Sequence, residues 1–60
     1  MKETIRNINV AMNSVDRAAI ELKSVMNRGD VTPDAMAKIN EIYANLCDML
    51  DTLNEVEEEL

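Results

Sequence analysis

Apolar residues along this chain fall into two ribbons. In the first half, Met1, Ile5, Ile8, Met12, Val15, Ala19, Leu22 and Met26 follow one another at alternating steps of four and three. On a helix of 3.6 residues per turn that alternation keeps one stripe in line, and it predicts an amphipathic helix with a coiled-coil-like seam. Thr4, Ala11, Ala18 and Val25 recur at every seventh position and widen the stripe on one flank. The second half repeats the pattern. Ala35, Ile39, Ile42, Leu46, Met49, Leu53, Val56 and Leu60 draw a second seam, widened on its other flank by Met36, Tyr43 and Leu50.

Between the ribbons stand the only glycine and the only proline of the chain. Gly29 is placed where a helix ends in a left-handed residue. Thr32 is a good N-cap and Pro33 a good first helical residue, and Asp34 adds negative charge where the helix dipole favours it. The pattern predicts one helical-hairpin domain over residues 1–60, with helix 1 at about 2–28, a hinge at 29–32 and helix 2 at about 33–59. At about 1.5 Å per residue each helix would be roughly 40 Å long. So short a connection returns the second helix antiparallel to the first.

Each apolar face is broader than a two-stranded seam requires. A lone hairpin would leave the widened flanks in water, and pairing two hairpins would cover them. The expected fold is all-α: an antiparallel two-helix hairpin dimerising into a four-helix bundle. The expected oligomer interface is Ile5, Ile8, Met12, Val15, Ala19 and Leu22 from helix 1. Helix 2 would add Met36, Ile39, Ile42, Tyr43, Leu46, Met49, Leu50 and Leu53. A heteromeric bundle with the helices of another protein is the competing arrangement.

Composition strengthens the case for association. Sixty residues bury only a modest core, and scaffolds of this size are usually helped by disulfides, a metal or oligomerisation. The chain has one cysteine and no histidine. An internal disulfide and a zinc site of the usual Cys/His kind are therefore both excluded. The apolar fraction is 47%, yet only one residue is aromatic, which suits helix seams, and a single glycine and proline supply too few turns for a sheet. No apolar run approaches the roughly 18 residues of a membrane span. The opening stretch MKETIRNINV lacks the continuous apolar core of a signal peptide, and there is no Asn-x-Ser/Thr sequon. A cytoplasmic, reducing location is expected, with no membrane association.

Charge is divided unevenly. Of the net −6, residues 1–28 carry five basic and three acidic side chains, a net of +2. Residues 33–60 carry Lys38 against eight acidic side chains, a net of −7. Glu57, Glu58 and Glu59 stand at a helix C-terminus, where the dipole disfavours them. An antiparallel hairpin eases this by bringing them beside Lys2, Arg6 and the positive start of helix 1. Asp34, Glu41, Asp48 and Glu55 recur every seven residues, with Asp51 and Glu58 beside them, and form one outer stripe of helix 2. Local charge balance and solubility account for such a stripe. A basic partner would also find it complementary.

Candidate chemistry is sparse. Acid–base and nucleophilic mechanisms need groups held together in a pocket. The carboxylates here fall mostly on the wet faces, and Cys47 has no evident base. Dinuclear carboxylate sites in bundles use inward Glu with Glu-x-x-His, which this chain lacks. No enzymatic activity, cofactor or metal is expected. Cys47 reads as a small packing residue on the line of Tyr43 and Leu50. The methionines on seam positions read as gap-fillers, although methionine also lines adaptable binding grooves. The tripeptide Arg28-Gly29-Asp30 has the letters of an adhesion motif, but Gly29 already has a structural task in the hinge.

Val10, Asn13, Arg17 and Ile20 are spaced three, four and three apart, away from the main seam. Val10 and Ile20 have little reason to stand there in a self-contained bundle. The line is a candidate docking strip with Arg17 as its polar contact. Glu41, Asp48, Asp51 and Glu55 are the corresponding candidates on helix 2.

The layout of two helices and one tight turn in a chain of this length resembles the Rop-type RNA-binding hairpins of plasmid copy control. The resemblance is one of architecture across the whole chain, and it implies a dimeric bundle and RNA binding. The chain has no phenylalanine, the residue those hairpins use on their RNA-binding face. Lys2 and Lys23 flank the seam while Arg6, Arg17 and Arg28 point elsewhere, and the net charge opposes phosphate. The expected function is therefore a small protein–protein interaction module, acting as a regulator, adaptor or inhibitor through a homodimeric bundle. A Rop-type RNA-binding regulator is one alternative. A structural subunit or helical chaperone that pairs with another chain is the other.

Overall fold

The computed structural model describes all residues, 1–60. Two α-helices make up the chain, α1 (Lys2–Arg28) and α2 (Pro33–Glu59), and they pack against each other. The molecule measures 45 × 14 × 11 Å. A 27-residue helix is about 40 Å long at the standard rise. The length of the molecule is thus that of one helix, and the second lies alongside it, antiparallel.

The hinge is built as its residues dictate. Gly29 closes α1 at φ 76°, ψ 9°, a left-handed conformation that glycine adopts without a Cβ penalty. Thr32 opens α2 from an extended backbone (φ −64°, ψ 154°). Its Oγ1 accepts a hydrogen bond from the Ala35 amide at 3.2 Å, and its carbonyl accepts one from the Met36 amide at 2.8 Å. One of the orphan amides of the first turn is thereby satisfied by the cap, and Pro33 has no amide hydrogen to satisfy. Val31 and Met36 are both half-buried on either side of the cap, the positions that form a hydrophobic staple.

The seam of α1 lies where its spacing puts it. Ile5, Ile8, Met12, Val15, Leu22 and Met26 are half-buried, and Ala19 is enclosed. On α2 the packed line differs from the one that spacing alone draws. Met36, Ile39, Tyr43, Leu46, Leu50 and Leu53 are half-buried, whereas Ile42, Met49, Val56 and Leu60 stay exposed. The stripe read as a widening flank is therefore part of the seam, and Ile42, Met49 and Val56 form the flank. Both rows are apolar with the same heptad repeat, so spacing cannot rank them; the groove of α1 takes only one. Lys23 reinforces the choice, its Nζ standing 5.5 Å from the centroid of the Tyr43 ring. At an exposed site such a contact contributes roughly 0.5–1 kcal/mol.

The packed line of α2 ends in a charge. Glu57 follows Leu53 at the next seam position and is half-buried, and its Oε2 is shielded from water without a hydrogen-bond partner. A carboxylate oxygen in that position gives up hydration with nothing in return.

Two outcomes follow for the stability of the hairpin. Gly29→Val should cost about 1 kcal/mol or more, because a β-branched residue resists positive φ. A Cβ at Gly29 would meet no atom within 4 Å, so the loss would be purely one of backbone conformation. Asp30→Ala at the exposed neighbouring position should stay within about 0.5 kcal/mol of the parent; urea unfolding followed by circular dichroism reads both. Glu57→Leu should raise stability by about 1 kcal/mol, seen as a higher thermal midpoint. A lower midpoint would mean that the carboxylate is satisfied in solution.

Candidate interaction surfaces

The two helices enclose a single residue, Ala19, at 6% exposure. Everything else on the seam is covered on one side only. The flanks of this seam differ in character. Positions preceding the α1 seam residues Ile5, Met12, Ala19 and Met26 are Thr4, Ala11, Ala18 and Val25. Those preceding the α2 seam residues Met36, Tyr43, Leu50 and Glu57 are Ala35, Ile42, Met49 and Val56. In an antiparallel pair these two rows share one side of the hairpin. Positions following the other seam residues are Asn9, Asp16 and Lys23 on α1, and Asn40, Cys47 and Asn54 on α2, and these share the opposite side.

One flank is consequently apolar except for Thr4, and the other is polar except for Cys47. Ile42 is 49% exposed, Met49 48% and Val56 36%. A shallow depression of about 330 Å³ opens beside this row between Asp48, Met49, Thr52 and Leu53. The thiol of Cys47 is free and half-buried on the polar side, with no second cysteine in the chain.

The outer face of α1 carries the second feature. Val10 and Ile20 are 56% and 57% exposed. The Ile20 end of the strip opens into a wide, shallow depression of about 530 Å³ lined by Asn13, Asp16, Arg17, Ile20 and Glu21. Asn13, Arg17 and Ile20 of the expected docking strip thus line one open depression on the outer side of α1, together with Asp16 and Glu21. Val10 lies outside the depression, nearly three turns before Ile20, its carbonyl accepting a 3.1 Å hydrogen bond from Ser14 Oγ.

On α2 the acidic residues Glu41, Asp48, Asp51 and Glu55 are all exposed. The carbonyl of Asp48 accepts a 3.0 Å hydrogen bond from Thr52 Oγ1, an i−4 contact within the helix. Their heptad spacing sets them on the side of α2 away from the seam, so they and the Val10–Ile20 strip occupy different outer faces. No three His, Cys, Asp or Glu side chains converge closely enough to hold a metal ion. No helix is long and apolar enough to cross a membrane.

Spacing identifies both outer faces, because heptad positions far from the seam can only face outward. The division into an apolar and a polar flank escapes it. That division requires knowing which α2 row α1 selects, and the signal available was the run of Asn at positions 9, 40 and 54, which marks the opposite side as wet.

Compared with known protein families, curated proteins and solved structures, the chain matches none.

If the outer α1 strip is a surface for recognition and not for folding, replacing its apolar residues should be silent in stability. The double variant Val10→Ser, Ile20→Ser should keep its thermal midpoint within the range of about 0.5 kcal/mol usual for exposed positions. A loss of about 2 kcal/mol or more would give the two residues a packing role instead.

Proposed function

We propose that this chain is a non-enzymatic protein–protein interaction module, a regulator, adaptor or inhibitor that works as a homodimeric four-helix bundle. The observation that carries the reading is the unpartnered apolar flank. Ile42, Met49 and Val56 beside Ala11 and Ala18 make a continuous apolar side on a hairpin with one enclosed residue.

Surface area supports it quantitatively. A folded monomer of 6.8 kDa is expected to expose about 3,950 Å². The hairpin exposes 4737 Å². The excess is about 800 Å², and a standard protein interface buries about that much from each partner. A second hairpin covering that much would bring the exposed area per chain to the value usual for a monomer of 6.8 kDa.

In this reading the flank and seam residues serve self-association, and the outer faces serve a second protein. Val10, Asn13, Arg17 and Ile20 offer an apolar patch with a cation, and Glu41, Asp48, Asp51 and Glu55 offer a row of carboxylates to a basic partner. The reading takes the protein as cytoplasmic, a setting that suits the free thiol of Cys47.

Sedimentation at micromolar concentration should give twice the chain mass. Ile42→Lys with Met49→Lys should reduce it to one chain and weaken the helical signal, since both side chains are exposed in the hairpin and the seam alone is half-covered. A well-folded wild-type monomer would refute the bundle. Partner binding is read by affinity capture with wild-type protein and with the Val10→Ser, Ile20→Ser variant, which should lose the captured protein. A salt-sensitive shift of stem-loop RNA, abolished by Arg6→Ala or Arg17→Ala, would instead assign the Rop-type function. Poor folding alone, rescued by coexpression with a second chain, would assign a subunit or chaperone role.

A further inference from the structure

The apolar flank carries a size pattern as well as a hydropathy pattern. Both helices rise equally from the hinge, so counting back from Arg28 and forward from Pro33 sets residues of α1 and α2 level with one another. On this flank that count puts Ala18 level with Ile42 and Ala11 level with Met49, each to within one residue. Thr4 falls level with Val56, and Val25 with Ala35. Three of the four layers set an alanine against a larger side chain, and in the fourth Thr4 and Val56 are of about equal size. Ile42 and Met49, the two largest, belong to α2, and the middle of the α1 row is alanine.

Two hairpins can stack on this flank in two ways that keep all neighbouring helices antiparallel. With the hinges at opposite ends, α1 lies over α1 of the second copy and α2 over α2. With the hinges at the same end, each α1 lies over α2 of the other copy, and like helices stand on the diagonals. In the first arrangement Ala11 and Ala18 meet each other, and Ile42 and Met49 meet each other. One pair of helices would then be underfilled and the other crowded, and close packing tolerates neither. In the second arrangement the levels are preserved, so Ala18 meets the second copy's Ile42 and Ala11 meets its Met49. Both central layers then pair alanine with a large side chain at an even spacing.

Charge selects the same arrangement independently. Residues 33–60 carry a net of −7 and residues 1–28 a net of +2. Hinges at opposite ends make two α2 helices neighbours at about 8–10 Å between axes. Hinges at the same end move them to the diagonal, roughly 11–14 Å apart at that spacing, and surround each acidic helix with two basic-leaning ones. The screening length of about 8 Å at physiological salt makes that increment count.

From these two observations we infer that the partner seated on the apolar flank is a second copy of this chain, with both hinges at the same end and α1 of each copy against α2 of the other. The inference rests on the homodimer proposed above and fixes its topology. It also has a consequence for recognition. The Val10–Ile20 strips emerge on diagonally opposite corners, each with an acidic stripe on either side. The dimer therefore presents two separate and equivalent docking sites, not one combined site.

The hinge reports the arrangement directly. Asp30 is exposed, and a spin label on Asp30→Cys, in a Cys47→Ser background, can be measured by pulsed electron resonance on a sample whose mass is checked by sedimentation. A dimer of the inferred form should give one inter-label distance below about 25 Å, allowing for the label arms and a bundle of neighbouring axes at about 8–10 Å. Hinges at opposite ends would give about 40 Å, the length of a helix. A dimeric mass with the long distance dominant would overturn the topology and leave the dimer standing. A single-chain mass with no resolved distance would overturn the dimer and the topology together.

Discussion

The constraint on which this structure depends is the reversal between Gly29 and Thr32. A left-handed residue ends α1, a threonine cap begins α2, and the residues between leave the second helix no course but back along the first. Register follows from that reversal. With the hinge set, each residue of α1 has a fixed neighbour level on α2, and Tyr43 comes within reach of Lys23. The seam, the flanks and the levels of the flank all inherit their alignment from four residues at one end of the molecule.

Two helices side by side cannot enclose much. Ala19 is the one residue fully sheltered, and large side chains such as Ile8, Leu22 and Leu46 are covered on one side only. Conformational entropy opposes the ordering of every residue, and a half-covered seam offsets little of it. The apolar flank is thus more than surplus hydrophobicity. It is the part of the chain's apolar content that the hairpin has no means to bury, and it lies on one side, opposite a flank that is polar except for Cys47.

Function, in this account, is distributed over surfaces. The seam holds the hairpin together, the apolar flank is the surface proposed for a second hairpin, and the outer faces carry the residues proposed to address another protein. Arg17 beside Ile20, with Asp16 and Glu21 around the same depression, is the most differentiated of these. The acidic row of α2 is regular but chemically uniform, and its i−4 contact at Thr52 is of the kind any helix makes. That difference is why the α1 strip, and not the carboxylate row, is the better candidate for specific recognition.

The sequence by itself determined the two helices, their ends and their antiparallel return. Those features are local: a 3.6-residue period, a glycine free to take positive φ, and a threonine followed by proline act within a few residues of where they stand. It also determined the outer faces, since positions opposite a seam have nowhere else to point. What only the tertiary structure decided is which of two equally apolar rows of α2 meets α1. Ile42, Met49 and Val56 have the same spacing as Tyr43 and Leu50, and nothing local separates them. The separation comes from the other helix, whose groove accommodates one row and leaves the other in water. On that selection depend the identity of the apolar flank, the placement of Cys47 and Asn54 on the polar one, and the pairing of small with larger residues along the exposed side.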